Sequence, residues 1–429
     1  MDYRPVMLIG GVALVVRLAI VFLLPDAEPG DLAGWEEAAA RVVRNGVQAA
    51  YASLDPGSLY PPAFFYPLWL VGQLYRTCCS ADFATDSPQL DVLMRLVPSI
   101  VDAVVAPLVF VLARSLEGST PRRAMWAGLA YALNPAVLIT VSQRGMIGDP
   151  YYVALIVLAV IAARYANNTL AAGLFTLAVL IKPQALALAP LMAVVILRTE
   201  PLRSGLRALG ISALAGGLVL LPFVVGGSLA DVGNAIVGMA GLHAATQNSA
   251  DNLWMLLPVW RLSSATPGPF GEVPDTTAFV AGLSYRDFGV LAIIALNLVV
   301  LAQLARKFSW AGVTLAAAVL AVGFFFVSTR MHVNYVFMAF PFLCALVATG
   351  RFSAWLVLLG VTLACTLNWQ HDLPWAVQRV NAGVYAASFA LLCWSWIRMT
   401  RFGVAALGFE SRFTPTESAR PLLGGHERL

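Results

Sequence analysis

Charge is what this sequence has least of. Only 12% of its 429 residues are Asp, Glu, Lys or Arg, against 59% in the hydrophobic set, and the mean hydropathy is +0.78. A soluble domain carries about a quarter charged residues because its surface faces water. Half that share excludes a water-soluble particle of this length, and the high apolar content equally excludes a disordered scaffold. Lysine is nearly missing: only Lys182 and Lys307 occur among 27 basic residues. The five cysteines show neither metal-ligand spacing nor a disulfide framework, and Cys78-Cys79 reads as an incidental pair. No Asp-x-Asp pattern occurs between residues 25 and 91, so nothing there favours a divalent ion; no metal and no cofactor is expected. The net charge of +4 and pI near 8.9 would suggest nucleic acid in a soluble protein, but here loop bias beside a bilayer accounts for them.

What is present is a series of long apolar runs: 6–24, 92–113, 124–141, 151–163, 170–181, 185–197, 206–225, 288–305, 311–327, 335–348, 354–367 and 384–397. These predict an all-α polytopic membrane protein of about twelve transmembrane helices. No small-residue cleavage site follows the first run, so it reads as an uncleaved span. The segment 62–75 is apolar but short and contains Pro67. Counting it as a span would place Arg114, Arg122 and Arg123 outside, against the positive-inside rule, so it reads as a non-spanning segment. Both termini are then cytoplasmic, with sixteen of the 27 basic residues on that side. Residues 1–408 form the membrane domain, and 409–429 form a polar cytoplasmic tail expected to be disordered.

Two long outer loops follow, 25–91 and 226–287. The spacing of Trp35, Ala38, Ala39, Val42 and Val43 predicts an amphipathic juxtamembrane helix over 34–45, with Asp31 as its N-cap. The second loop is rich in Gly, Pro, Ser and Thr and carries an aromatic patch over 253–260.

Ionisable residues at membrane depth or span ends are costly to keep and therefore informative. Four clusters map to the outer side: Asp31 with Glu36 and Glu37; Gln143 through Asp149; Lys182-Pro183-Gln184; and Arg330-Met331-His332 with Asn334 and Tyr335. Arg330, His332 and Lys182 suit a phosphate leaving group, and a carboxylate such as Asp31 suits removal of a hydroxyl proton. Plainer readings stand beside these. Asp31 caps a helix, Glu36 and Glu37 are its wet face, and Lys182 snorkels beside a helix-breaking proline. On the same plain terms His332 is a satisfied polar residue, and Asp149-Pro150 marks a helix start.

At these same residues the chain resembles the GT-C superfamily of polyprenyl-phosphate-sugar-dependent membrane glycosyltransferases. Gly30-Asp31-Leu32-Ala33-Gly34-Trp35 is similar to the start of that family's first outer loop, and Tyr60-Pro61-Pro62 to its Tyr-Pro-Pro segment. Gln143 through Asp149 is similar to a Gly-Gln-x-Asp turn, Lys182-Pro183-Gln184 to a Lys-Pro-Gln turn, and Arg330-Met331-His332 with Tyr335 to a late Arg-x-His-Glu-x-Tyr segment. The nearest likeness is to glycosyltransferase family 87, the bacterial mannosyltransferases. The resemblance implies inverting transfer of a hexose, mannose by that likeness, from a polyprenyl-phosphate donor to an outward-facing membrane acceptor such as a glycolipid. It implies Asp31 as general base and Arg330, His332 and Lys182 at the donor phosphate. Gln184, Asp149, Gln143, Tyr60, Tyr335, Trp35 and Glu36 would line the cavity. Its setting would be the bacterial plasma membrane, with the active site on the extracytoplasmic face. Two departures are visible: the late segment reads His-Val-Asn, and the stretch from Gln143 to Asp149 is longer than the family's turn.

The competing expectation is a transporter or lipid-linked saccharide flippase, which would carry ionisable residues near mid-bilayer. Arg17 and Asp102 are the candidates for that role. A ligase of lipid-linked saccharides and a non-catalytic assembly subunit are further alternatives.

Overall fold

The computed structural model describes residues 3–25, 29–53, 59–85, 87–199, 202–241, 244–257, 271–370 and 373–402. The expected tail 409–429 and the last part of the aromatic patch, 258–260, lie outside the described residues.

Each predicted apolar run falls on a helical segment. In chain order these are α1 (Arg4–Leu23), then α2 (Pro29–Asn45) and α3 (Phe65–Cys78) in the first long loop, and α4 (Pro88–Arg114). Helix α5 (Pro121–Ala132) runs on through short helical turns to Gln143, followed by α6 (Gly148–Arg164) and α7 (Asn168–Ile181). The 3-10 segment Pro183–Leu188 leads into α8 (Ala189–Thr199), then α9 (Leu202–Val225) and α10 (Leu229–Gly241). The last third holds α11 (Tyr285–Arg306), α12 (Trp310–Val327), the 3-10 segment Val333–Ala339 with α13 (Phe340–Val347), α14 (Phe352–Asn368) and α15 (Trp375–Phe402). Among the described residues seven helices are long and apolar enough to cross a bilayer, and shorter apolar helices fill the remainder of the bundle. A two-stranded hairpin, β1 (Ala278–Val280) and β2 (Leu283–Ser284), sits before α11.

Ends are set by local chemistry. Asn134 and Asn167 accept backbone N–H groups of the turns they precede, and Ser284 with Asp287 forms a capping box at the start of α11. Arginines mark the end where α4, α6, α8 and α11 finish: Arg114, Arg164, Arg198 and Arg306. The four clusters singled out from the sequence lie at the opposite helix ends.

One expectation is corrected. Asp31 is not the N-cap of the juxtamembrane helix; α2 starts at Pro29 and places Asp31 in its first turn, where it still meets the positive end of the helix dipole. The predicted apolar face of α2 is as expected, with Trp35, Ala38, Ala39, Val42 and Val43 all buried. The loop 226–287 is not wholly irregular, since it contains α10. Thirteen residues with two internal glycines and a third at the end are too short for a span and weak in helix propensity, so the sequence pattern does not separate them from loop. Segment 62–75 becomes the 3-10 turn Pro62–Phe64 plus α3, packed on α2 and α4 with Phe65, Leu68, Val71 and Tyr75 inside.

Helix α12 is the centre of the bundle, buried along nearly its full length, whereas α9 and α11 present Leu214, Leu218, Leu221, Ile294 and Leu298 outward. Outward leucines on peripheral helices are what a lipid solvent permits. The two intramembrane charges bond to each other. Arg17 donates to Asp102 Oδ2 at 2.8 Å and to the Ala13 and Ala132 carbonyls, and the Tyr131 hydroxyl donates to Asp102 Oδ1 at 2.6 Å. Both charged side chains are fully enclosed, so the pair joins α1, α4 and α5 and lines no cavity described here. Removing one partner of a buried pair costs about 3–5 kcal/mol because the other is left uncompensated. Arg17→Met is therefore expected to lower the detergent-solubilised melting temperature strongly, and Arg17→Met with Asp102→Leu to recover much of the loss. Equal melting of the two variants would show that the pair is not the source of the effect.

Candidate functional site

The helix ends opposite the arginines enclose a cavity of about 710 Å³. One wall is α2 and the following segment, contributing Asp31, Gly34, Trp35, Leu59 and Tyr60; another is the turn Lys182-Pro183-Gln184 between α7 and α8. A third is the segment from Ser328 to Tyr335 between α12 and α13, and Arg286 and Val290 on α11 complete the side nearest lipid. All four sequence clusters therefore meet at one space, the Gln143–Asp149 cluster through Met146 alone, with Asp149 behind the wall.

The placements differ in detail. Asp31, Trp35, Tyr60, Lys182, Gln184, Arg330, His332 and Tyr335 line the cavity. Asp149 is fully buried behind the wall, where its carboxylate accepts from Lys182 Nζ at 2.7 Å and Asn334 Nδ2 at 2.8 Å. Glu36 is buried on α2 and lies outside the lining, because its neighbour Trp35 faces the space instead. Gln143, at the end of the π-helical turn Ile139–Gln143, is half-buried and likewise outside the lining. Among the described residues of the lining, Asp31 is the acidic one, and it is exposed to the space.

The aromatic side is rigid. Tyr60 stacks on Phe64 with centroids 4.0 Å apart and meets Trp35 edge-on, while the Tyr51 hydroxyl donates to the Tyr60 carbonyl at 2.7 Å. Burial raises the Tyr60 hydroxyl well above the ordinary phenol range, and the neighbouring Tyr335, Asp31 and Asp149 raise it further. The hydroxyl is thus held as a neutral hydrogen-bonding group beside Asp31.

Arg330 is set by residues the sequence reading passed over. Its φ of +63° is uncommon for a side-chain-bearing residue, and the surroundings over-determine it. Its backbone N–H donates to the Ala245 carbonyl, the Met331 carbonyl accepts from Asn248, and the guanidinium forks onto Asp275 at 2.5 and 3.0 Å. That bidentate bond raises the Arg330 pKa against the opposing effect of burial. Asp275 is fully buried and also accepts from Thr329 Oγ1. The loop that supplies it is itself packed: Trp254 is enclosed by Phe279, Tyr285 and Phe288 and donates through Nε1 to the Ser328 carbonyl. Sequence offered one signal for Asp275, the Pro274-Asp275 turn before the aromatic hairpin, but nothing tied it to Arg330.

The cations are unequally engaged. Lys182 faces Asp149 and Arg330 faces Asp275, whereas Arg286 lies 3.7 Å from Asp287 and is about half exposed. Asp287 is already committed to Ser284. Arg286 is therefore the lining cation with most hydrogen-bonding capacity to spare, and no motif marked it.

Beside this site lies a small polar pocket of about 30 Å³ lined by Gln247, Ser249, Asp251, Asn368 and Gln378. Burial pushes the Asp251 carboxyl up to about 6, opposed by a hydrogen bond from Asn381. A carboxyl held above its unfolded value of about 3.9 contributes stability that is complete below that value and lost as pH rises through about 6. Asp251→Asn is accordingly expected to raise the melting temperature at pH 7.5 and leave it nearly unchanged at pH 4. Stabilisation of the same size at both values would assign the gain to packing.

No protein-family model matches the sequence, and no curated protein matches it. Among solved structures, ArnT from Cupriavidus metallidurans bound to undecaprenyl phosphate is similar over 92% of this chain and 78% of its own, with a TM-score of 0.50 and 15% identity. The archaeal oligosaccharyltransferase AglB from Archaeoglobus fulgidus, in complex with an inhibitory peptide and a dolichol-phosphate, is a looser likeness: TM-score 0.38, 13% identity, 92% of this chain and 56% of that one. At such identities the likeness to ArnT speaks to fold alone, and in fold this chain is an all-α, multi-pass membrane protein similar to ArnT.

Proposed function

We propose that the protein transfers a hexose from a polyprenyl-phosphate donor to a membrane acceptor such as a glycolipid. Mannose is the sugar favoured by the sequence likeness to glycosyltransferase family 87. The observation that carries this reading is the division of labour within one cavity. Among the described residues of the lining one carboxylate, Asp31, stands exposed with Trp35 and Tyr60, while Lys182, Arg330 and Arg286 hold the other walls. Displacement of a lipid phosphate from a sugar needs those two parts: a base for the attacking hydroxyl and cations for the leaving phosphate. Leu59, Met146, Met239, Val290 and Phe324 give the same cavity an apolar side suited to a prenyl chain. ArnT, which shares the fold, was solved bound to undecaprenyl phosphate, a lipid carrier of this class.

In this reading Asp31 takes the acceptor hydroxyl proton as the oxygen attacks the anomeric carbon. The carbon–oxygen bond to the phosphate breaks on the opposite face, so a single displacement inverts the centre. Arg330, held by Asp275, and the less committed Arg286 neutralise the phosphate as it leaves. The arginine-rich helix ends support reading that side as cytoplasmic and the cavity side as extracytoplasmic.

The test is transfer by purified protein in lipid nanodiscs from radiolabelled polyprenyl-phosphomannose, with polyprenyl-phosphoglucose as control. Label is expected in a lipid-extractable glycoside. Movement of intact donor between leaflets, with no new glycosidic bond, would replace the transferase reading by the flippase one.

A further inference from the structure

In the cavity wall four side chains from three parts of the chain form one unbroken series of hydrogen bonds. Lys182 Nζ donates to Asp149 Oδ1 at 2.7 Å, Asn334 Nδ2 donates to Asp149 Oδ2 at 2.8 Å, and Asn334 Oδ1 lies 2.9 Å from His332 Nδ1. Lys182 follows α7, Asp149 is in the first turn of α6, and Asn334 and His332 precede α13. Lys182, Asp149 and Asn334 are all largely buried; Lys182, Asn334 and His332 line the cavity, and Asp149 lies behind them.

The direction of this series is fixed by its chemistry. A carboxylate paired with a lysine offers only acceptors, so the Asn334 amide must turn its NH₂ toward Asp149 and its oxygen toward His332. That oxygen can only accept, so the hydrogen between them belongs to His332 Nδ1. A neutral imidazole carries one N–H, which leaves Nε2 as an acceptor. We infer that Asp149 and Asn334 are positioning residues that lock His332 as its Nδ1–H tautomer, so that His332 meets a hydroxyl of the sugar or of the acceptor through Nε2. This deepens the transferase reading and changes one role within it. The family resemblance implies that His332 contacts the donor phosphate, but a bare Nε2 repels a phosphate oxygen and attracts a hydroxyl.

The amide between the two is what makes the difference. A carboxylate placed directly on Nδ1 favours the imidazolium, as in acid–histidine pairs. Asn334 passes on the orientation imposed by Asp149 without passing on its charge. Lys182 in turn donates to the other oxygen of Asp149, so its ammonium is engaged inside the wall.

Only four histidines occur in the chain, so the ring nitrogens can be read directly. The full-length protein, labelled with ¹⁵N-histidine in nanodiscs, is recorded by NMR at pH 8, above the ordinary imidazole pKa of about 6.5. The His332 signals are assigned by their loss in His332→Gln. A protonated Nδ1 and a bare Nε2 are expected, and Asn334→Leu is expected to shift the ring toward the Nε2–H form. Asn334→Asp sets a carboxylate on Nδ1 and should keep Nδ1 protonated while adding a proton at Nε2, which separates loss of the lock from loss of the fold. A bare Nδ1 in the wild type, or an unchanged spectrum in folded Asn334→Leu, overturns the inference whether or not the protein transfers sugar. In the transfer assay Asn334→Leu should lower kcat about tenfold with donor KM within twofold. A donor KM that rises at constant kcat would return His332 to the phosphate.

Discussion

Asp31→Asn is expected to lower sugar transfer by about 10³-fold while leaving expression and donor binding intact. The size follows from the role: a positioned general base contributes about 10²–10⁴-fold, and an amide of the same shape cannot accept the proton. Among the described residues three other carboxylates stand near Asp31 in sequence or space, and each is placed unfavourably for the task. Glu36 is buried one position beyond Trp35 and outside the cavity lining. Glu37 is exposed on α2 but likewise absent from that lining. Asp149 is enclosed and bonded to Lys182 and Asn334. Donor binding should persist because Arg330, Arg286 and Lys182 occupy other walls. Asp31→Ala should match Asp31→Asn, since a helix-dipole effect in the first turn of α2 amounts to only about 0.3–1 kcal/mol. Turnover of either variant near the wild-type rate would remove Asp31 from the chemistry and leave it a first-turn acid.

The sequence made the lipid-facing architecture legible because hydropathy is a local property. Runs such as 6–24, 206–225 and 311–327 carry their own signal, and each appears as a helix at the expected place. The amphipathic face of α2 was equally local, a 3.6-residue spacing written into Trp35, Ala38, Ala39, Val42 and Val43. What could not be read were relations between distant residues. Asp275 and Arg330 are 55 positions apart, and neither residue's surroundings in sequence name the other. Lys182 and Asp149 are 33 apart, so Lys182 read alone presents itself as a cavity cation when its charge is already matched inside the wall. Arg286 escaped notice for the opposite reason: at the start of an apolar run it resembles any interfacial arginine, and only the convergence of α11 with the segment from Ser328 places it on the cavity. The first-turn position of Asp31 comes from Pro29, which starts α2 five residues before the expected Gly34 because proline is tolerated at a helix N-terminus.

The same relations give the second large effect, and they allow a phosphate contact to be told from a structural fastening. Arg330→Ala is expected to raise the donor KM about 100-fold, close to 3 kcal/mol for losing one member of a desolvated charge pair, with acceptor KM little changed. Asp275→Asn retains an oxygen toward the guanidinium but removes the charge that fixes it. It should move donor KM in the same direction by about tenfold, since Arg330 keeps its charge and loses its fixed fork. Arg286→Ala, which breaks only a long contact to Asp287, should raise donor KM without lowering the melting temperature. The three variants therefore separate two models. If the arginines neutralise the leaving phosphate, the donor KM values rise in all three, and stability falls only where Asp275 or Arg330 is changed. If Arg330 merely pins the loop carrying Asp275 to the end of α12, Arg330→Ala and Asp275→Asn lose stability together, donor and acceptor KM shift alike, and Arg286→Ala does nothing. The strained backbone at Arg330 favours the first outcome. A left-handed turn at a side-chain-bearing residue costs about 1–3 kcal/mol, and a glycine would have served a purely structural bend.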